Sequence, residues 1–289
     1  DGTITLPGAD NNIKDPADNP TVAPKPGATQ KPTINNDGSV TLPEGGTVTL
    51  PGKDPIEAPN GSTVLPDGSI IGPNGQKVNP DGTITLPGAD GDINKDQDNP
   101  TVTPKPGATQ KPQLNEDGSV TLPEGGTVTL PNGQQVTVPA GGTVKPDGTV
   151  ITPEGDVINP DGTVTKPGAD GKPGTKDDVT VKPNPDGTIT LPGADNNINT
   201  PEDNPTVTPK PNGTQKPTIN PDGSVTLPEG GTVTLPGKDS VDVPAGGTVK
   251  PDGTIVDKDG NTINPDGTVT TPGADGKPGT KDDVTVKPN

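Results

Sequence analysis

The sequence predicts an all-β fold built from tandem repeats, and three observations support this fold class. Prolines recur every seven residues in the middle of the chain, and a fixed period of this kind indicates a repeat protein. Most of these units carry glycine at the third position, where a turn needs the left-handed conformation. Thr, Val and Ile, which favour strands, fill much of the remainder. The prolines of the most regular run are Pro139, Pro146, Pro153, Pro160 and Pro167.

Each unit of seven or eight residues predicts a tight bend followed by a short strand. The clearest bend is Asn-Pro-Asp-Gly-Thr, in which proline fixes φ and glycine accepts the left-handed conformation, a combination typical of chain reversal. It occurs at Asn79–Thr83, Asn159–Thr163, Asn184–Thr188 and Asn264–Thr268. No stretch shows the apolar spacing of a helix, and proline recurs too often to permit one.

Two β architectures fit these turn-strand units. In a β-solenoid, three units form a coil of about 21 residues, and the coils stack about 4.8 Å apart. In a narrow β-meander, each bend reverses the chain and consecutive strands pair. We expect solenoid-like segments, because stacking places Val128 and Leu130 on a shared inner face while Thr127 and Thr129 point outward. The meander, or a largely disordered chain with polyproline II character, is the alternative.

The composition excludes several classes of function. The chain has 289 residues with 42 Gly, 43 Pro and no Phe, Tyr, Trp, Met, Cys or His. Because His, Cys and Tyr supply most catalytic bases and nucleophiles, we predict that the chain is not an enzyme. A formal net charge of −18 argues against binding to nucleic acid or to anionic membranes. No apolar run approaches the ~20 residues that a membrane span requires.

Three long copies divide the chain. Residues 1–80 form copy 1, residues 81–185 form copy 2 and residues 186–289 form copy 3. Copies 2 and 3 carry an insert, GADGKPGTKDDVTVKPN, at residues 168–184 and 273–289, which copy 1 lacks. Loss of a whole segment without change to its flanks indicates that each part contacts mainly its neighbours.

Within each copy, a proline-rich segment interrupts the regular repeat of seven or eight residues. These segments cover about residues 10–32, 90–112 and 195–217, are rich in Asp, Asn, Lys and Pro, and are expected to be extended linkers. The last residues of the chain repeat Val179–Asn184, after which copy 3 begins. We therefore expect the chain to be an excerpt from a longer array, whose flanking domains are its partners.

Calcium is the best candidate ligand, and no other cofactor is expected. Alternating carboxylate and amide side chains follow one another in copy 2, and a hard cation binds several oxygens from one short segment. These residues are Asp90, Asp92, Asn94, Asp96 and Asp98. The inserts supply a second set of candidate metal ligands, namely Asp170, Asp177 and Asp178 with Asp275, Asp282 and Asp283. The alternative is that these are solvated acidic loops that keep the protein soluble.

Thr-x-Thr triplets recur along the chain, for example at Thr127/Thr129 and Thr163/Thr165. Stacked in rows, they resemble the threonine rows of ice-binding β-solenoids. Threonine is also a common outward-facing strand residue, so ice binding is a remote alternative.

Three further motifs, PDGTV, LPEGGTVTLP and PGADGKPGTKDD, resemble the repeat regions of Gram-positive cell-wall-anchored surface proteins and adhesins. The resemblance extends over the whole chain. It implies an extracellular stalk or fibre at the cell surface that projects other domains, with self-association into fibres as a further expectation.

Overall fold

The computed structural model describes residues 2–95, 97–274, 276 and 279–287. Within these ranges the chain forms 31 short β-strands and no helix, which confirms the all-β prediction. Hence no helix in the described ranges is long and apolar enough to span a bilayer. The chain divides into two compact units, unit 1 at residues 1–153 and unit 2 at residues 154–289.

Unit 1 contains the first 17 strands. They are β1 (Ile4–Thr5), β2 (Thr21–Pro24), β3 (Thr33–Ile34), β4 (Val40–Leu42), β5 (Gly46–Thr49), β6 (Ile56–Ala58), β7 (Ser62–Val64), β8 (Ile70–Ile71), β9 (Lys77–Val78), β10 (Ile84–Thr85), β11 (Thr101–Pro104), β12 (Gln113–Leu114), β13 (Val120–Leu122), β14 (Gly126–Thr129), β15 (Gln135–Val138), β16 (Gly142–Val144) and β17 (Val150–Ile151).

Unit 2 contains the remaining strands. They are β18 (Val157–Ile158), β19 (Val164–Lys166), β20 (Val179–Pro183), β21 (Ile189–Thr190), β22 (Thr206–Pro209), β23 (Thr218–Ile219), β24 (Val225–Leu227), β25 (Gly231–Thr234), β26 (Val241–Val243), β27 (Gly247–Val249), β28 (Ile255–Val256), β29 (Thr262–Ile263), β30 (Val269–Thr271) and β31 (Val284–Val286).

In unit 1 the strands form open sheets, and each copy contributes to two of them. Their orders are β1-β2-β5-β6, then β15-β14-β11-β10-β9-β8-β7-β4-β3, and β12-β13-β16-β17. The chain makes β1 and β2 in the first sheet, crosses to the second for β3 and β4, and returns for β5 and β6. It then crosses again at β7 and continues as a meander through β8, β9 and β10.

The core lies between two sheets, as in a small β-sandwich. Val22 and Val48 of the first sheet pack in one cluster with Val40 and Val64 of the second, and all four side chains are fully buried. Unit 2 repeats this arrangement with the orders β18-β19-β20-β21-β22-β25-β26 and β23-β24-β27-β28-β29-β30-β31. The second sheet gives the Val and Ile side chains the covering layer that a single narrow sheet lacks.

The strand pairing differs from the solenoid-like stacking expected from the sequence. Every strand pair within each unit for which a residue register is described is antiparallel, for example β8 with β9 and β29 with β30. Stacked solenoid coils would instead pair parallel strands about 21 residues apart. The antiparallel pairing is that of the meander alternative, with the added crossings between sheets.

The Asn-Pro-Asp-Gly-Thr bend explains why the strands reverse. In the copy at Asn79–Thr83, the Gly82 N–H donates to the Asn79 carbonyl at 3.0 Å, and the Asn79 N–H donates to the Thr83 carbonyl at 2.9 Å. Gly82 has a φ of 88°, which completes a three-residue hairpin loop with a glycine bulge. The Asp81 carboxylate accepts the Thr83 N–H at 2.9 Å and holds the turn. Such a bend joins two antiparallel strands in a hairpin, whereas a β-solenoid needs a corner that leads into the next coil.

The alternation predicted within strands is confirmed. Val128 and Leu130 are buried, whereas Thr127 and Thr129 on the other face are half-buried. By contrast, the segments at 10–32, 90–112 and 195–217, expected to be extended linkers, each contain a strand paired on both sides. These strands are β2, β11 and β22.

Candidate functional site

Five loops that begin with Pro-Gly-Ala-Asp hold the predicted acidic residues. Each connects two adjacent antiparallel strands: β1–β2, β10–β11, β19–β20, β21–β22 and β30–β31. The acidic linkers and the acidic inserts therefore contain the same kind of hairpin connection. The shared PGAD sequence is the signal that could have related them before the structure was known.

A second aspartate, seven or eight residues downstream, closes the loop. Asp177 Oδ2 accepts the backbone N–H of Ala169 at 2.7 Å and of Asp170 at 3.1 Å. Asp203 Oδ2 accepts the N–H of Ala194 at 2.7 Å in the same way. The corresponding bonds join Asp18 to the N–H of Asp10 and Asp98 to the N–H of Asp90, each at 3.2 Å. These carboxylates thus act as internal caps for loop amides.

The three candidate metal ligands of copy 2 do come together, around the hydroxyl of Thr175. Thr175 Oγ1 lies 2.7 Å from Asp177 Oδ1, 3.1 Å from Asp178 Oδ1 and 3.3 Å from Asp170 Oδ1. Asp178 Oδ2 also accepts the Gly174 N–H at 2.6 Å. The pKa of Asp177 is lowered, first by the Thr175 hydroxyl and then by the Asp170 amide. The point on which the carboxylates converge is therefore filled by a hydroxyl oxygen.

Copy 3 repeats this geometry as far as it is described. Thr280 Oγ1 lies 2.7 Å from Asp282 Oδ1 and 3.1 Å from Asp283 Oδ1. The Gly279 N–H donates to Asp283 Oδ2 at 2.6 Å. Asp275, the third predicted ligand of this copy, lies outside the described residues.

In copy 2, a lysine of the same loop contacts the alternating acidic side chains. Lys95 Nζ lies 2.9 Å from Asp90 Oδ2 and 3.5 Å from Asp92 Oδ2. The lysine hydrogen bond is the main reason that the pKa of Asp90 is lowered, and Asp92 Oδ1 accepts the Asn94 N–H at 3.1 Å. Asp96 lies outside the described residues. The local counter-charge in this loop is thus an ammonium group of the chain itself.

No group of three or more His, Cys, Asp or Glu side chains in the described ranges is arranged to hold a metal ion. The preceding geometry accounts for this result. The carboxylate oxygens point at loop amides, at a threonine hydroxyl or at a lysine.

A glutamate contact that sequence reasoning missed recurs in all three copies. Glu124, in the LPEGG turn, accepts the Thr109 N–H at 2.8 Å, the Thr109 hydroxyl at 2.7 Å and the Gln110 N–H at 2.7 Å. These bonds lower the pKa of Glu124, with the Thr109 hydroxyl as the largest cause. The equivalent pairs are Glu44 with Thr29 and Gln30, and Glu229 with Thr214 and Gln215. The glutamate fastens the proline-rich segment to the sheet, so we call it the glutamate clamp.

The threonines of the Thr-x-Thr triplets lie opposite threonines of antiparallel neighbours. Thr127 lies opposite Thr103 and Thr137. Thr165 Oγ1, of another triplet, lies 2.9 Å from Thr180 Oγ1, and both of these side chains are half-buried. The described triplets thus follow an antiparallel register, whereas the ice-binding comparison assumed stacked solenoid coils.

No protein-family model and no curated protein matches this chain. Solved structures that align with it do so weakly. A crystal structure of selenomethionine-substituted virginiamycin B lyase from Staphylococcus aureus is 13% identical, with 92% of this chain and 86% of that chain covered and a TM-score of 0.15. A streptogramin B lyase structure is 12% identical, with 82% and 80% covered and a TM-score of 0.14. Similarity at this level carries no argument about fold or function.

Proposed function

We propose that this chain is a structural repeat, a stalk or filament segment that spaces or projects other domains from a bacterial cell surface. The observation that carries the proposal is the use of its polar side chains. In each copy the same Asp, Glu, Asn and Thr residues hold turns and loops in place, as the glutamate clamp and the loop-closing aspartates do. Because these polar side chains bond to the chain's own turns and loops, they suit a spacer that has no catalytic role.

The modular contacts support the same role. The strand pairs of each copy are formed by neighbouring segments of the chain, so copies can be added or lost without remaking the core. A surface location fits the composition, since the chain has no Cys, Met or aromatic side chain for oxidants to attack. The net charge of −18 would keep such a segment soluble.

A distance measurement tests the spacer role. Dyes attached close to each end of the full chain would report the end-to-end distance by energy transfer, before and after residues 81–185 are duplicated in place. We expect the added copy to lengthen the chain by a fixed increment. A scrambled insert of the same composition is the matched control and should give a broad distance distribution. An unchanged distance, or the same broad distribution for both inserts, would argue against a spacer.

Calcium binding is the second candidate, favoured by one observation. Three carboxylates surround Thr175 Oγ1 within 3.3 Å, and a hydroxyl can donate its single proton to only one of them. A cation that displaced the Thr175 hydroxyl and bound Asp170, Asp177 and Asp178 would stiffen the β19–β20 hairpin, and one bound by Asp275, Asp282 and Asp283 would do the same in copy 3.

Titration calorimetry with calcium chloride tests this candidate on the full chain. Calcium binding predicts heat that is reduced in Asp177→Asn but kept in Asp147→Asn, which alters a turn aspartate of the same copy. Absence of heat at millimolar calcium, or equal heat in both variants, would rule the candidate out.

A further inference from the structure

The same tetrapeptide, Thr-Gln-Lys-Pro, ends the proline-rich segment of every copy. It occurs at residues 29–32, 109–112 and 214–217. The glutamine and the lysine of each tetrapeptide are exposed, and each tetrapeptide lies outside the strands, directly before β3, β12 or β23. Each copy therefore presents a carboxamide and a primary amine at consecutive positions of its surface.

The glutamate clamp fixes the backbone of this tetrapeptide and leaves the glutamine side chain free. Glu124 Oε1 accepts the backbone N–H of Gln110 at 2.7 Å, and the other two copies form the same bond. In the described parts of the chain, the carboxamides of Gln30, Gln110 and Gln215 have no hydrogen-bond partner. Each carboxamide thus faces solvent from a backbone that the clamp holds in place.

The other glutamines are less suited to modification. Gln76 is only 1% exposed, and its Nε2 donates to the Asn115 carbonyl at 3.2 Å. Gln113 and Gln135 belong to the paired strands β12 and β15, and Gln134 directly precedes β15. A modifying enzyme has to bind the backbone around its target, whereas the backbone of a paired strand is already hydrogen-bonded to its neighbour. The clamped tetrapeptides are the better substrates for this reason.

We propose that Gln30, Gln110 and Gln215 are acyl-donor sites, at which a thiol acyltransferase links this chain to lysines of a second copy. The thiolate of the enzyme attacks the glutamine Cδ, and the Cδ–Nε2 bond breaks with release of ammonia. A neutral lysine Nζ then attacks the thioester, forms an amide bond and returns the thiol. The reaction exchanges one amine for another, so it needs neither an oxidant nor a reductant.

The chain supplies the amine but not the enzyme. It has 21 basic residues, all of them lysines, and no cysteine, so the thiol belongs to a separate protein. Lys31 and Lys216 are exposed and have no bonded partner among the described residues, whereas Lys111 Nζ donates to the Pro55 carbonyl at 2.8 Å. Because the repeats carry both partners of the amide, neighbouring chains can be joined at several points. The inference does not depend on the proposed spacer role.

Labelling with a small amine tests the acyl-donor sites on the full chain. The chain is incubated with a calcium-independent microbial transglutaminase and dansylcadaverine, and mass spectrometry counts and locates the labels. We expect three labels, at Gln30, Gln110 and Gln215. Gln30→Asn/Gln110→Asn/Gln215→Asn shortens each side chain by one methylene and should take no label, whereas Gln134→Asn/Gln135→Asn should keep three. An unlabelled natural chain, or labels mainly at other glutamines, would overturn the proposal.

Incubation with the same enzyme, but without added amine, tests the second copy as the acceptor. We expect covalent dimers and larger oligomers, with loss of one ammonia for each link and a rate that rises with chain concentration. The triple asparagine variant should stay at 28.8 kDa on a denaturing gel, whereas the Gln134→Asn/Gln135→Asn control should form oligomers as the natural chain does. A natural chain that takes the label but stays monomeric would overturn the second-copy acceptor. Equal oligomers from the triple variant would overturn the donor sites.

Discussion

Carboxylates in this protein act mainly as acceptors for nearby amides and hydroxyls. Glu124 accepts three hydrogen bonds from two residues of the preceding segment, and Asp177 closes a loop twelve residues long between β19 and β20. Bonds of this kind favour the charged form of the acid. The acidic residues that the sequence offered as metal ligands thus have a structural use at the scale of single side chains.

The glutamate clamp should make stability depend on pH. Its folded pKa lies below the ordinary value of 4.5, so its stabilisation is present above that pH and is lost as the pH falls through the folded pKa. We expect the melting temperature to fall below about pH 4.5. Glu124→Gln should lower the melting temperature at pH 7 and weaken its fall in acid. Glu116→Gln, at an exposed position of the same copy, is the control, and an equal effect of both substitutions would contradict the clamp.

At the scale of strands, the double glycine of the PEGG turns marks a close contact between β11 and β14. A Cβ on Gly126, the first residue of β14, would lie 2.3 Å from the carbonyl oxygen of Thr103. Gly126 thus stands where one strand approaches the neighbouring backbone too closely for any side chain.

Gly126→Ala is therefore expected to cost about 3 kcal/mol of unfolding free energy, because neither backbone can move aside. Gly133→Ala is the matched control. Gly133 has a φ of 82° and no atom within 4 Å of its Cβ position. The alanine is therefore expected to cost only the strain of a left-handed backbone, about 1 kcal/mol of unfolding free energy. Denaturant melts of the two variants give the comparison. Equal losses would show that the close approach is absent.

The sequence predicted the turns and the short strands, but it did not predict which strands pair with one another. Asn79–Thr83 could be identified as a hairpin turn because each of its residues has a defined role in a tight bend. The partner of a strand depends on contacts distant in sequence, and the near-identical strands of this chain give no local clue to them. For this reason β2 pairs with β5 and β4 with β7, across intervening strands of the other sheet.

The proline-rich segments were missed for a related reason. Thr101–Pro104 ends in a proline, which has no N–H to donate, and such a residue argues against a strand between two partners. Here the proline stands at the last position of β11, opposite Gly126. At the candidate site, Asp170, Asp177 and Asp178 do lie close together, and their role as metal ligands stays a prediction. The hydroxyl between them could not be foreseen from spacing alone.

At the scale of the whole molecule, charge repulsion opposes folding. The chain has 39 acidic residues and 21 basic ones, and its ion pairs at Lys95 and Lys258 are exposed and weak. Salt screens repulsion between exposed charges over a Debye length of about 10 Å at 0.1 M. We expect the melting temperature to rise as sodium chloride is increased from low concentration to about 0.15 M. A fall would mean that attractive ion pairs outweigh the net repulsion.

The central structural claim is that each copy folds by antiparallel pairing into two packed sheets, and one disulfide tests it most directly. Thr103 and Thr127 lie opposite each other in β11 and β14. Thr103→Cys/Thr127→Cys should therefore form an intramolecular disulfide rapidly under mild oxidation, detectable by mass spectrometry. Ala108→Cys/Thr129→Cys joins positions about one solenoid coil apart, at ~21 residues, and should stay reduced. Closure of the second pair but not the first would contradict the antiparallel fold.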